Sequence, residues 1–222
     1  MKNWLRDNKG FLMFLFLFGI FRTAVADWNP IPSSSMRPNL LEGDVVFVNR
    51  LAFDLKVPLT DVIVTRLGEP VRGDVVTFSS PKDGTRLIKR VIALPGDVVE
   101  MRDEHLVING KAADYKLVEE LPEPLGGSFV NAQRFSETLG ARRNRIQLIP
   151  ELTGVRRNFE PVTIPKDQYL MLGDNRDNSA DSRFIGLVPR HLLIGRAVRV
   201  LVSADITDKW KPRTERFGMR LE

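Results

Sequence analysis

The tetrapeptide Gly-Asp-Val-Val occurs at 43–46, 73–76 and 96–99, and it constrains the fold more than any other feature of the chain. Each copy sets a turn-forming pair directly before β-branched residues, so each marks entry into a strand. The spacings between copies are unequal, which argues against a solenoid repeat. Segments 45–48, 75–78 and 87–94 are the clearest strands of the first half; 106–108, 169–172 and 198–202 follow. Asn109-Gly110 reads as a hairpin turn. Helical periodicity is hard to find beyond the N-terminal segment, so the class is mostly β, built on antiparallel sheet.

A chain of 222 residues holds one sizeable domain or two small ones. With 43% hydrophobic and 27% charged residues it has globular rather than disordered composition. The net charge of +5 suits an anionic membrane surface, and without a long basic block it gives no reason to expect nucleic acid. Cysteine is absent, which excludes disulfides, thiolate catalysis and cysteine metal sites. His105 and His191 have no metal-type spacing, so neither metal nor cofactor is expected. Any hydrolytic chemistry must manage with little or no histidine.

Residues 1–9 carry Lys2, Arg6 and Lys9 against Asp7, and an apolar run then continues uncharged to Arg22. Taken as helix, residues 10–26 span about 25 Å at ~1.5 Å per residue, marginal against a ~30 Å hydrocarbon core. The basic flank places 1–9 in the cytoplasm, 10–27 in the membrane as a single anchor, and the remainder outside. The same residues, ending in Ala24-Val25-Ala26, read equally as a cleavable signal peptide. A core over 28–103 and 161–205 is interrupted by an inserted, smaller β-rich region at 104–160. That insert carries no chemical signature, and its Arg142, Arg143 and Arg145 read as a solvated face. The basic tail 206–222, with Trp210 and Phe217, reads as a frayed terminus or a headgroup contact.

Three stretches stand out for chemistry. Ile31-Pro32-Ser33-Ser34-Ser35-Met36-Arg37-Pro38 packs serines between prolines, where regular structure is disfavoured; taken alone it reads as a linker. In the strand Leu87-Ile88-Lys89-Arg90-Val91-Ile92-Ala93-Leu94, Lys89 shares a face with Leu87, Val91 and Ala93. A lysine so placed loses its charge more easily and becomes competent to deprotonate a serine, although snorkelling at an edge is the plainer reading. Gly173-Asp174-Asn175-Arg176-Asp177-Asn178-Ser179-Ala180-Asp181-Ser182-Arg183 is a dense polar loop that does not fit a calcium-loop register. Arg72-Gly73-Asp74 belongs to a recurring turn. In Ser79-Ser80-Pro81-Lys82, proline breaks the helix that an S-x-x-K motif needs.

Together and in this order, these three stretches strongly resemble the signature boxes of bacterial type I signal peptidases. The resemblance implies a membrane-bound Ser–Lys endopeptidase that removes signal peptides from exported preproteins after Ala-x-Ala sites, on the outer side of the cytoplasmic (inner) membrane. It implies Ser35 as nucleophile, Lys89 as general base, and Ser33 with the Ser35 N–H as oxyanion hole. Ser179 would hold the lysine amine; Asp181 with Arg183, and more remotely Asp174 with Arg176, would form supporting pairs. Ile31, Pro32 and Ile88 would line small pockets for the substrate alanines. Preproteins and membrane lipid are the implied partners. The rivals are a specialised leader peptidase of a conjugation or secretion system and a non-catalytic, membrane-tethered, peptide-binding β-domain.

Overall fold

The computed structural model describes residue 4 and residues 7–221, so most of the expected cytoplasmic segment 1–9 lies outside the described residues. The helix Lys9–Ala24 has 16 residues, which span about 24 Å at ~1.5 Å per residue. Phe11, Phe14, Phe16, Phe18 and Phe21 stand exposed along it. Among the described residues no helix is long and apolar enough to cross a membrane. The expected anchor also ends early, because Ala26 and Asp27 are buried and already belong to the first strand.

The strands are β1 (Ala26–Pro30), β2 (Asp44–Asn49), β3 (Asp54–Lys56), β4 (Ile63–Arg66), β5 (Val75–Ser79), β6 (Arg86–Ala93), β7 (Val98–Arg102), β8 (His105–Ile108) and β9 (Lys111–Ala112). They continue as β10 (Asp114–Leu125), β11 (Ser128–Leu139), β12 (Arg142–Leu148), β13 (Phe159–Thr163), β14 (Gln168–Leu172), β15 (Val188–Pro189), β16 (Leu193–Asp205) and β17 (Lys211–Pro212). The main sheet runs β1-β2-β16-β5-β6-β14-β15, with β17 added on β16. A second sheet runs β13-β7-β8-β9, and β10-β11-β12 form a long meander. The expected limits of the insert, 104 and 160, fall inside the second sheet, where β7 and β13 pair with each other.

All three Gly-Asp-Val-Val copies enter strands, and all three use one device. Gly43, Gly73 and Gly96 take φ of 87°, 93° and 89°, a region that favours glycine. The aspartate that follows donates its N–H to the carbonyl three residues back and accepts that residue's N–H on its carboxylate. Asp44 Oδ2 takes Leu41 N at 2.8 Å, Asp74 Oδ2 takes Val71 N at 3.1 Å, and Asp97 Oδ2 takes Leu94 N at 2.7 Å. Each turn is thereby closed before its strand starts, and Asp74 of the Arg-Gly-Asp triplet serves its turn through Oδ2 while Oδ1 lies 3.7 Å from Arg196 Nη1.

Three apolar clusters hold the layers. Ile92, Val99, Leu106, Ile164 and Leu172 join the main and second sheets. Ile31, Met36, Leu40, Val46 and Val75 pack beneath the serine-rich stretch. Phe53, Val76, Phe78, Val91 and Met171 fill the third. Each fully buried side chain of this kind contributes about 1.5–3 kcal/mol. The tail does not fray as expected: Val200 and Gly218–Met219 exchange backbone hydrogen bonds at 2.8 Å, and Met219 and Leu221 pack on the second cluster. Trp210 is left 69% exposed.

Candidate active site

Ser35 sits in a single 3-10 turn, Ser34–Met36, between Pro32 and Pro38. Asn175 N–H donates to the Ser35 carbonyl at 3.1 Å, and Asn175 Nδ2 donates to the Ser34 carbonyl at 3.2 Å. Asn178 Nδ2 donates to Ser34 Oγ at 2.9 Å. The polar loop 173–183 therefore grips the serine turn from behind. Sequence reasoning missed both asparagines; their place inside the loop, two and five positions after Gly173, was the available signal.

Lys89 lies opposite Val76 in the β5–β6 pairing and is 2% exposed. Its Nζ donates to Ser35 Oγ at 2.7 Å and to the Ile88 carbonyl at 2.9 Å. Burial lowers the amine to about 8, with Asp181 and Asp174 pulling it partly back up. Burial of the strand at this position, not a partner charge, is the largest cause of the lowering. Ser33 Oγ lies 3.4 Å from Ser35 Oγ. The Ser179 hydroxyl is buried and has no hydrogen-bond partner among the described residues; the same holds for Asn175 Oδ1. Gly173 makes the close approach of loop and serine turn possible, since a Cβ there would lie 2.2 Å from Ser179 Oγ and 2.5 Å from the Ser35 carbonyl oxygen.

The loop's carboxylates are each matched to an arginine. Asp181 takes Arg183 Nε at 2.8 Å and Nη2 at 2.7 Å, and Asp181 Oδ2 also accepts the Gly173 N–H at 3.1 Å. Asp177 takes Arg157 at 3.1 Å and the Ile149 N–H at 2.8 Å. The expected pairing of Asp174 with Arg176 is not formed. Asp174 instead takes Arg90 in a two-pronged pair at 2.8 Å, and Arg176 takes both carboxylate oxygens of Glu137 at 2.6 Å. Tyr115 OH donates to Glu137 at 2.7 Å and accepts from Arg176 at 3.1 Å. Both arginines are buried, so each requires a full carboxylate partner, and neighbours in sequence on a tight loop point in different directions. Tyr115 and Glu137 belong to the insert, as does Gln147, whose backbone pairs with Asp174 and Arg176 at 2.8 and 2.9 Å. The insert is therefore part of the site's support.

Ile31 is buried and packs in one cluster with half-buried Ile88, while Pro32 and Ser33 are exposed at its rim. Along β6, β14 pairs only with Arg90–Ala93, so residues 86–89 are paired through β5 alone. An open strand edge accordingly runs past the serine and the lysine.

A family model described as signal peptidase, peptidase S26, matches residues 2–202. The chain belongs to this family. Signal peptidase I of Pseudomonas fluorescens is 36% identical over 209 residues, covering 88% of this chain and 72% of the relative. Signal peptidase I of Pseudomonas aeruginosa is 37% identical over 211 residues with the same coverage. Signal peptidase I P of Bacillus subtilis subsp. natto is 30% identical and covers 89% of this chain and 88% of its own length. A crystal structure of a signal peptidase I from Enterococcus faecalis, 29% identical, aligns with a TM-score of 0.35 over 58% of this chain and 96% of that one. As a family member the chain is a serine endopeptidase of the signal peptidase I type, which sets aside the reading as a non-catalytic binding domain.

Proposed function

We propose that this peptidase cuts exported preproteins after Ala-x-Ala sites, with Ser35 as nucleophile and neutral Lys89 as general base. The observation that carries this reading is the 2.7 Å contact between a buried lysine amine and Ser35 Oγ. The neutral amine takes the Ser35 proton as Oγ attacks the scissile carbonyl carbon, then passes that proton to the departing amine nitrogen. A water, deprotonated by the same amine, hydrolyses the acyl-enzyme and regenerates Ser35. The Ser35 N–H and the Ser33 hydroxyl stabilise the oxyanion; such donors contribute about 2.7–4 kcal/mol each in comparable sites. Ser179 positions the amine, and its unpartnered hydroxyl is available for that role. The Asp181–Arg183 pair holds Gly173, while Asp174 and Arg176 brace the loop through Arg90 and Glu137.

The substrate adds as an extended strand to the open edge at 86–89. Ile31, Pro32 and Ile88 line pockets that admit alanine and reject larger side chains by contact. The N-terminal segment that includes the helix Lys9–Ala24, with its exposed phenylalanines, attaches the protein to lipid and leaves the catalytic core on the outer side of the inner membrane.

The test is cleavage of a preprotein bearing an Ala-x-Ala site by wild type, Ser35→Ala and Lys89→Ala in detergent, with circular dichroism as the folding check. Wild type should cut at that site and both folded variants should fall by at least about 10³-fold. Near-wild-type cutting by either variant refutes the assignment. An active enzyme that ignores general preproteins but cuts one leader class would make it a specialised leader peptidase.

A further inference from the structure

A cleft of about 310 Å³ opens where the C-terminal tail crosses the meander, bordered by Pro38, Asn39, Met219 and Leu221. Five arginines line it, Arg90, Arg143, Arg145, Arg216 and Arg220, and among the described residues no acidic side chain does. Arg90 is matched by Asp174, and Arg216 by Asp44 at 2.6 Å. Arg143, Arg145 and Arg220 are exposed and form no ion pair with the described residues. A merely solvated face intersperses both signs of charge. Here like charges converge on one concavity, a field that concentrates anions.

The cleft adjoins the proposed active site. Pro38 is three residues from Ser35, at most about 11 Å of chain. Asn39 Nδ2 donates to the Arg145 carbonyl at 2.7 Å and to Asp174 Oδ2 at 2.6 Å, tying the cleft wall to the loop that holds the serine.

We propose that this cleft receives carboxylate side chains of the substrate just after the scissile bond, so that preproteins with acidic mature N-termini are favoured. The proposal rests on the function proposed above. Small apolar pockets on the signal-peptide side leave no room for charge, which places the carboxylate on the mature side. An extended peptide advances ~3.3 Å per residue, so an acid within about four residues of the cut reaches the cleft. Guanidinium groups match a carboxylate with two parallel hydrogen bonds.

The experiment uses the full chain in detergent and two preproteins sharing one Ala-x-Ala site, with aspartates or asparagines over the first few mature residues. In wild type the acidic substrate should be cut with at least about threefold higher kcat/KM at low salt, the advantage shrinking at high salt. In the triple variant Arg143→Gln, Arg145→Gln, Arg220→Gln the ratio should fall toward one, while the corresponding triple lysine variant keeps it. Equal cutting by wild type, or a preference that survives the glutamine variant, overturns this proposal alone. Cutting of neither substrate overturns the functional reading and this one with it. A glutamine variant that loses binding to phosphatidylglycerol vesicles while keeping the preference overturns it in favour of lipid phosphate.

Discussion

At neutral pH the Lys89 amine is mostly protonated, because burial brings it only to about 8. If it is the base, kcat/KM should rise with pH through about 8 and then level, since only the neutral amine accepts the serine proton. A flat profile between pH 6 and 9 would remove Lys89 from that role. Stability carries the same sign. The folded amine titrates below its ordinary 10.5, so between about 8 and 10.5 the unfolded chain binds more protons and stability should rise with pH. Below about 8 both states are charged and the cost of burying the ammonium, on the order of 3 kcal/mol, is fully present. Lys56 makes a useful contrast: it is also buried and lowered by burial, but its Nζ donates to the Leu193 carbonyl at 2.7 Å and makes no hydrogen bond to a serine. A buried lysine becomes a candidate base only where a hydroxyl meets it.

The Gly-Asp turn is the element on which the strands depend, and its copies differ in a way that can be measured. At Gly96 a Cβ meets nothing within 4 Å, so Gly96→Ala should cost only backbone strain, about 1–2 kcal/mol. At Gly43 a Cβ would lie 2.0 Å from the Ala204 carbonyl oxygen, so Gly43→Ala must also push β16 away from β2. Denaturant titration should therefore rank Gly43→Ala as clearly the more damaging, by about 2 kcal/mol or more. Equal losses would mean that the approach of the tail-side strand to this turn does not matter. The Gly-Asp turns, the strands β2, β5, β6, β8, β14 and part of β16, and the Asn109-Gly110 hairpin were legible because they depend on residues within a few positions of one another. The 3-10 turn at Ser34–Met36 was not, since asparagines more than a hundred positions away hold it.

At the scale of the whole molecule, the meander is joined to the polar loop 173–183 through the buried polar cluster of Tyr115, Glu137 and Arg176. Removing its acid by Glu137→Ala leaves Arg176 charged and unpaired, a change that typically costs 3–5 kcal/mol. Because Arg176 sits in the loop that grips the serine turn, the variant should lose thermal stability and preprotein cleavage together. Unchanged cleavage in a destabilised but folded variant would mean that the insert steadies the fold without shaping the site. The helix Lys9–Ala24 belongs to the same scale: its apolar run was plain in the sequence, yet Ala26 and Asp27 are drawn into the main sheet. Ala26 pairs opposite Asn49, so the Ala24-Val25-Ala26 stretch lies within folded structure.

By itself the sequence determined the strand-rich class, the turn device and the three boxes, because local sterics and two-residue alternation write these into neighbouring positions; that Lys89 is buried rather than snorkelling at an edge was decided by the tertiary structure. Tertiary structure alone decided that Arg90, not Arg176, faces Asp174, that Glu137 and Tyr115 of an unremarked insert support the loop, and that the tail closes one wall of an arginine-lined cleft. Ion pairs and hydrogen bonds depend on distances of a few ångströms in space, and those distances leave no periodicity in the chain.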